Sequence, residues 1–201
     1  MLRKPFLKNL IGLGSILLMT PQTLLSKNRK IVNVDTNYFE DELVNRASII
    51  APEEGESLNL NGLSVTFKVT SELSNNQLGV YEITVPPKTI GAKLHYHRFM
   101  DETFIVSEGT LTMEVGDQQQ LAKAGTVAYI PRFTPHGFRN ETDSTVKVIL
   151  IFNPSEKREG FFKGLHQTLS EVPVDTQKFL KLYNKYDSYP VNKTDIIPTE
   201  D

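Results

Sequence analysis

The chain has 201 residues, 39% of them hydrophobic and none of them cysteine, so it can bury one modest core but cannot form disulfides, thiolate metal ligands or cysteine nucleophiles. Its net charge of −2 is uneven: residues 1–30 contain six of the 22 Lys and Arg residues and no Asp or Glu, which leaves 16 basic against 24 acidic side chains in the remainder, a net charge of −8. This acidic remainder excludes a nucleic-acid surface, because binding to phosphates needs clustered Lys and Arg.

The N-terminal segment, residues 1–26, has the pattern of an export signal. Arg3, Lys4 and Lys8 precede an apolar run, Leu10–Met19, which is shorter than the roughly 20 residues needed to span a bilayer. The start of the segment also resembles a twin-arginine signal, with Lys4 where the second arginine is expected. We therefore expect an exported protein, periplasmic or secreted, with a signal peptide at residues 1–26 and an uncleaved N-terminal membrane anchor as the alternative.

Stretches of alternating apolar and polar residues follow the N-terminal segment. Leu63–Val69 and Gly79–Val85 both alternate in this way, which predicts half-buried strands with one wet face. Turn signals then recur roughly every ten residues, the spacing typical of an all-β sandwich or barrel. We assign residues 27–155 to this all-β domain.

Three of the four histidines lie in two short segments that also contain a glutamate. His95 and His97 are one residue apart, so on a strand both imidazoles project to the same side, while Tyr96 points away. Four residues leave room for a turn before Glu102, which opens another strand-like run. His136 follows a turn signal after the strand-like sequence TVAYI. The pattern places three imidazoles and one carboxylate within reach of a common point.

This mixed nitrogen and oxygen set suits one divalent transition metal ion (Fe, Mn, Ni, Co, Cu or Zn) rather than the all-oxygen sites of Ca or Mg. The predicted metal ligands are His95, His97, Glu102 and His136. An octahedral ion would keep two positions for water, a chelating substrate or dioxygen. Asp101 is the alternative carboxylate, although spacing and strand alternation favour Glu102. His166 falls in a predicted helix, and we interpret it as an ordinary surface histidine.

The two segments resemble the paired motifs of the cupin superfamily. The first motif combines His-x-His, four residues, Glu, six residues and Gly, and the second combines Gly, five residues, Pro, four residues, His, three residues and Asn. In this chain these positions are His95, His97, Glu102 and Gly109, then Gly125, Pro131, His136 and Asn140. The resemblance implies a double-stranded β-helix, the jelly-roll cupin barrel, with the four ligands pointing inward from neighbouring strands.

Two positions depart from the cupin pattern. Gly91 stands two residues closer to His95 than usual, which we expect to change only the start of a loop. Phe133 replaces the glycine commonly found two residues after the proline. We expect Phe133 to alter the turn before His136 and to place an aromatic ring near the mouth of the pocket.

Residues 156–190 predict a helical extension with two C-terminal α-helices. Pro154 and Ser155 give a start signal for the first helix, whose apolar residues Phe161, Phe162, Leu165 and Leu169 recur at helical spacing. Asp175 caps a second segment with an apolar face formed by Phe179, Leu182, Tyr183 and Tyr186. We expect these faces to pack against the barrel or a second subunit, and a homodimer is one of the two assemblies left open. Residues 191–201 are polar and predict a loose tail.

From the first strands through the phenylalanine-rich helix, the chain resembles bacterial single-domain cupins similar to quercetin dioxygenase. The resemblance implies a metal-dependent dioxygenase that acts on a small enediol or flavonol-like substrate. Glu102 would then be a ligand and also the catalytic acceptor of the substrate's proton. Phe104, Met113, Tyr129, Phe138 and Phe152 lie on predicted inward faces and would suit a flat apolar substrate. Two alternatives stay open: a metal-dependent isomerase or lyase that uses no oxygen, and a non-enzymatic cupin that binds a small ligand.

Overall fold

The computed structural model of the protein describes residues 47–198, which form eleven strands and two helices. The strands are β1 (Ser57–Leu60), β2 (Leu63–Val69), β3 (Gly79–Val85), β4 (Thr89–Tyr96), β5 (Asp101–Glu108), β6 (Thr110–Val115), β7 (Gln118–Lys123), β8 (Val127–Ile130), β9 (His136–Asn140), β10 (Val146–Asn153) and β11 (Tyr189–Pro190). The helices are α1 (Arg158–Leu169) and α2 (Thr176–Lys185).

The strands form two antiparallel sheets. One has six strands in the order β1-β2-β3-β10-β5-β8, and the other has five in the order β11-β4-β9-β6-β7. Neighbours in each sheet are mostly distant in sequence, as expected when one chain winds back and forth between two facing layers. The predicted all-β double-stranded β-helix with two C-terminal helices is confirmed.

Alternation along the strands builds the core between the two sheets. In β3, Tyr81, Ile83 and Val85 are fully buried, while the residues between them are partly exposed. The same alternation in β5 buries Phe104 and Val106 on the side that also carries Glu102. Because side chains on a strand point alternately to opposite faces, the residues that build the core also decide which polar groups enter it.

The second C-terminal helix begins where the sequence predicts, whereas α1 begins at Arg158, three residues after the predicted start signal at Pro154 and Ser155. The Asp175 carboxylate accepts hydrogen bonds from the backbone N–H groups of Gln177 and Lys178 at 2.9 and 3.1 Å, which caps the start of α2. In α1, the ring of Phe162 lies 5.0 Å from that of Tyr81, centroid to centroid, so this helix packs directly onto the six-stranded sheet. The helices therefore close one side of the barrel.

The C-terminal segment differs from the predicted loose tail. β11 pairs with β4, and Val191 donates a backbone hydrogen bond to the carbonyl of Leu94. Ile196 is 3% exposed, and Asp195 forms an ion pair with Lys93. A short apolar anchor thus fixes a segment whose composition is otherwise polar.

The predicted signal segment, residues 1–26, lies outside the described residues, and so does the start of the assigned 27–155 domain. Within residues 47–198, neither helix has the length and apolar character that a membrane crossing requires.

Candidate metal centre

The four predicted ligands converge between the two sheets. His95 on β4 and His136 on β9 are paired directly across the five-stranded sheet. Glu102 comes from β5 of the six-stranded sheet, and His97 directly follows β4. All four side chains are buried, and one ligand atom from each lies within 4.8 Å of the others. Residues as far apart in sequence as His95 and His136 therefore meet at one point inside the barrel.

Each histidine is oriented by a backbone carbonyl on its outer side. The Nδ1 atoms of His95, His136 and His97 lie 2.9, 2.9 and 2.5 Å from the carbonyl oxygens of Lys93, Thr134 and Asp187. A carbonyl can only accept, so each Nδ1 carries the proton and donates it. With Nδ1 protonated, Nε2 of each ring faces the centre and can offer its lone pair there, which is the arrangement of a metal-binding histidine.

The inner atoms are close enough to need a cation between them. Oε2 of Glu102 lies 2.8 Å from Nε2 of His136 and 3.1 Å from Nε2 of His97. Lone pairs on a carboxylate and on neutral imidazoles repel one another unless a proton or a metal ion lies among them. Adjacent ligands of one ion, each at about 2.0–2.2 Å, are separated by roughly 3 Å. The cluster thus fits one divalent metal ion.

The protonation states also suit coordination. Burial lowers the pKa of His95 well below its usual range, and the neighbouring His136 and His97 lower it further. Burial likewise lowers the pKa of His97. Burial raises the pKa of Glu102, whereas protons on the facing nitrogens of His136 and His97 would bring that pKa below its usual range, so a cation among these atoms keeps the carboxylate ionised. Neutral imidazoles and an ionised carboxylate are the forms that bind a metal.

Asp187, in the helical extension, supports one of these ligands. Its backbone carbonyl accepts the proton of His97, and its carboxylate accepts hydrogen bonds from the N–H groups of Arg98 at 3.0 Å and Phe99 at 2.7 Å. Both contacts act on the connection between β4 and β5, where His97 lies. Asp187 is 90 positions from His97, and nothing in its local sequence indicates this contact.

A cavity of about 50 Å³ adjoins the cluster and is lined by His95, Glu102, Arg158, Tyr183 and apolar side chains. Burial raises the pKa of Tyr183 to about 12, so its hydroxyl stays protonated at neutral pH. A larger cavity of about 480 Å³ lies beside Tyr96 and contains none of the four ligands. Tyr96 points away from the cluster, as its position between the two histidines predicts, and stacks on Tyr189 with ring centroids 5.5 Å apart.

The other candidate residues fall into two groups, those that lie outside the cluster or on the surface and those that are buried as predicted. Asp101 does not join the cluster, because its carboxylate accepts hydrogen bonds from the backbone N–H and Nε of Arg132, both at 3.0 Å. His166 is exposed on α1 and contacts the carbonyl of Asn59. The prediction of an inward Tyr129 is wrong: it is 61% exposed, because Ala128 and Ile130 take the inner face of β8. The remaining aromatic and soft residues predicted to face inward are buried, namely Phe104, Met113, Phe138 and Phe152.

The two departures from the cupin pattern have structural explanations. Gly91 lies within β4 rather than at the start of a loop, and a Cβ atom there would overlap the ring of Phe138. Phe133 has φ +67°, the left-handed conformation that glycine adopts most easily, and its exposed ring does not line the cavity beside the cluster. The Phe133 N–H donates to the carbonyl of His97 at 2.6 Å, which ties this turn to the first motif.

Comparison with known proteins agrees with this geometry. Residues 81–152 match the family model described as the cupin domain. The chain contains a cupin domain. This match runs from β3 to β10 and includes all four residues of the cluster.

The cupin domain is also similar to several solved structures. A sugar phosphate isomerase of the cupin superfamily from Silicibacter pomeroyi has 20% identity and a TM-score of 0.48, over 52% of this chain and 74% of that one. A predicted oxalate decarboxylase from Thermotoga maritima has 16% identity and a TM-score of 0.49, over 53% and 98% of the two chains. The protein KdgF from Halomonas sp. has 17% identity and a TM-score of 0.48, over 54% and 94%.

Proposed function

We propose that the cupin domain binds one divalent transition metal ion through His95, His97, Glu102 and His136 and acts as a metal-dependent dioxygenase on a small enediol. The convergence of the four ligand atoms within 4.8 Å, beside a cavity, is the observation that carries the proposal. Four protein ligands leave two positions free on an octahedral ion. A bound redox-active ion would activate a chelating substrate toward dioxygen.

The residues around the ion have separate roles in this proposal. The three histidines hold the ion as neutral ligands, and Glu102 offsets part of its charge. Because its Oε2 lies beside Nε2 of His136 and of His97, Glu102 acts as an anionic ligand, and its further predicted role as catalytic base is tested by substitution. The rings of Phe104, Phe138 and Phe152 keep bulk water away from the reacting atoms.

The size of the cavity favours the smaller of the two predicted substrate classes. Pockets that enclose ligands of drug size usually have volumes of about 300–1,000 Å³. The cavity beside the cluster has about 50 Å³, which is room for a few atoms. An enediol of three or four carbon atoms suits this space better than a three-ring flavonol does.

Oxygen uptake in the presence of a defined metal tests the proposal. Protein purified without added metal is analysed for its elemental content, and then loaded with Fe, Mn, Ni, Co, Cu or Zn and assayed with a panel of enediols in an oxygen electrode. We expect uptake with a redox-active ion and none with Zn. Turnover that persists with Zn and without oxygen would instead indicate a metal-dependent isomerase or lyase. Binding without product in every metal form would indicate a ligand-binding cupin.

Glu102→Gln separates the two roles of the carboxylate. The amide can still coordinate weakly but cannot carry charge or accept a proton, so we expect the metal content to fall about tenfold or less while oxygen uptake falls further. Metal content is measured on the same samples as oxygen uptake. Unchanged uptake per bound metal ion would remove the proton-accepting role.

Two sequence predictions about the whole protein stay part of the proposal. Export through residues 1–26 is checked by cell fractionation and by determining the mature N-terminus. Pairing of two barrels into a homodimer is checked by light scattering of the purified protein. Neither outcome affects the assignment of the metal centre.

A further inference from the structure

Arg158 is a buried cation in the wall of the metal-site cavity. It is the first residue of α1, is 3% exposed, and lines the cavity together with His95 and Glu102. Its Nη1 donates hydrogen bonds to the carbonyl of Tyr186 and the hydroxyl of Ser188, both at 2.9 Å. Its Nε–H has no hydrogen-bond partner within residues 47–198. A residue that lines the cavity therefore has one hydrogen-bond donor without a partner.

The surroundings of Arg158 leave its charge only partly compensated. Its Cζ lies 3.8 Å from the ring centroid of Phe161 and 4.7 Å from that of Phe152, so two aromatic faces contact the guanidinium. Among the described residues no carboxylate forms an ion pair with it. Burial of a charge without an anionic partner is costly, and aromatic faces recover only part of that cost.

The charges inside the cavity favour an anion once the metal ion is bound. A divalent ion and Arg158 carry three positive charges, and Glu102 supplies one negative charge when the histidines are neutral. The remaining excess is positive and lies in a small space with apolar walls, where charges interact more strongly than in water. A ligand that carries negative charge at both ends would balance it.

We propose that Arg158 binds a carboxylate of the substrate, so that the substrate is a small carboxylic acid whose other end carries the oxygens that reach the metal centre. This inference rests on the proposed function and narrows the substrate class of the same site. The ring of Phe152 contacts both ends of the site, with its centroid 5.9 Å from that of His97 and 4.7 Å from Cζ of Arg158. Because His95, Glu102 and Arg158 line the same small cavity, one short acid bound there would lie beside both the ligands and the guanidinium.

The geometry of a guanidinium supports a carboxylate in particular. Its N–H groups lie in one plane and match two carboxylate oxygens side by side, which an ammonium group cannot do. A carboxylate has three heavy atoms in a plane, which suits a cavity of about 50 Å³ better than a tetrahedral phosphate does. Arg158 also fastens the segment from Tyr186 to Ser188, so the test has to separate anion binding from this structural role.

The test measures the binding of propionate and its neutral analogue propionamide to the full chain by ligand-observed NMR. The protein is used as isolated and after removal of metal with a chelator, and its metal content is measured in each sample. We expect wild type with bound metal to bind propionate about tenfold or more tightly than propionamide, and we expect a smaller preference after metal removal, when the carboxylate of Glu102 offsets the charge of Arg158. This preference should fall to within about twofold in Arg158→Met and to an intermediate value in Arg158→Lys, which keeps the charge but loses the planar fork.

Two control variants isolate the role of the guanidinium. Lys163→Met removes an exposed cation from the same helix, and Ser188→Ala removes one hydrogen bond of Arg158 while leaving its charge in place. Both should keep the wild-type preference. Loss of the preference in Ser188→Ala equal to that in Arg158→Met would overturn the proposal, because the structural role would then explain the effect.

Several other outcomes also decide the question. A preference for propionate that appears only in metal-loaded protein, or phosphate bound more tightly than propionate, would overturn the proposal. If neither Arg158 variant folds, a crystal structure of wild type with propionate decides it, since a carboxylate placed anywhere except against Arg158 contradicts the assignment. If the protein binds none of the added metal ions and still prefers propionate through Arg158, the proposed function is refuted and this inference stands. Bound metal without a preference for propionate would overturn this inference and leave the proposed function standing.

Discussion

The barrel strands and the C-terminal extension contribute to the same site in different ways. β4, β5 and β9 carry three of the four ligands, and His97 directly follows β4. The extension contributes no ligand, but it supplies Asp187 behind His97 and two polar residues of the cavity wall, Arg158 and Tyr183. The strands therefore determine that a metal can bind, while the extension determines how one ligand is oriented and what can bind beside it.

This difference shows where specificity can change at low cost. A ligand on a strand is fixed by the register of the sheet, because a shift of one residue would turn the whole strand over. A helix that packs over the open side of the barrel can exchange side chains without disturbing that register. We infer that variation in residues 156–190 changes the substrate more readily than it changes the metal.

Removing a ligand that lies on a strand tests whether the barrel strands determine metal binding. This change should have the largest effect on metal affinity. In His136→Ala the cluster loses one of its three imidazoles, so metal affinity should fall by more than the roughly 10–100-fold that loss of a supporting residue costs. Elemental analysis of protein purified side by side measures it. His166→Ala is the matched control, because that histidine is exposed on α1, and it should keep the wild-type metal content. Wild-type metal content in His136→Ala would show that His136 is not a ligand.

Removing a contact that the C-terminal extension makes behind His97 tests whether the extension orients this ligand. Asp187→Gly keeps the left-handed backbone of this position, where φ is +55°, and removes the carboxylate that holds the N–H groups of Arg98 and Phe99. We expect metal affinity to fall about tenfold, at the lower end of what such supporting groups contribute. Competition with a chromogenic chelator measures the affinity.

Asp187→Asn is the comparison variant, because its amide keeps one accepting oxygen in the same conformation and should lose less affinity than Asp187→Gly. Equal affinity in wild type and Asp187→Gly would mean that the strands alone orient His97. In that case the extension would affect only the cavity.

Local periodicity explains why the ligands could be predicted from the sequence. His95 and His97 share a side with Tyr96 opposite, and Glu102 shares a face with Phe104, because alternation within a strand needs no knowledge of the rest of the fold. Tyr129 shows the limit of this argument. Its strand is short, and the alternation fits either face until the pairing with β5 is known.

The contributions of the extension could not be predicted in the same way. Asp187 reaches His97 across 90 positions through its backbone carbonyl, which no side-chain pattern encodes. The burial of Arg158 could have been predicted from its position. It lies three, four and seven positions before Phe161, Phe162 and Leu165 and so falls in the apolar stripe of α1. A charge in such a stripe indicates a buried group with a partner or a function. The polar sequence of β7 does not predict a strand, because this strand lies at the edge of its sheet and needs no apolar alternation.

A substitution that adds a methyl group to the barrel wall should have a smaller effect. It should lower the stability of the protein and not only its metal binding. In Gly91→Ala the added methyl group overlaps the ring of Phe138, which must move, and we expect the free energy of unfolding to fall by about 1–3 kcal/mol. Urea denaturation monitored by circular dichroism measures it. Gly91→Ala combined with Phe138→Leu makes room for the methyl group and should lose less stability than the two single variants together. Strictly additive losses would show that the overlap is relieved elsewhere.

The smallest effect should come from the turn that links the two motifs. Phe133 is 63% exposed and has φ +67°, so its ring contributes little burial while its backbone adopts a conformation that costs a non-glycine residue about 1–2 kcal/mol. Phe133→Gly removes that cost but makes the unfolded chain more flexible, and the net gain should be about 0.5–1 kcal/mol. Phe133→Ala keeps the strained backbone and should gain nothing in the same urea experiment. Metal content should stay at the wild-type value in both variants, because the hydrogen bond to the carbonyl of His97 comes from the backbone N–H, which every residue except proline provides. A loss of metal in Phe133→Gly alone would show that this turn has to be rigid for His97 to stay in place. His97 would then be supported by a turn of the barrel as well as by Asp187 of the extension.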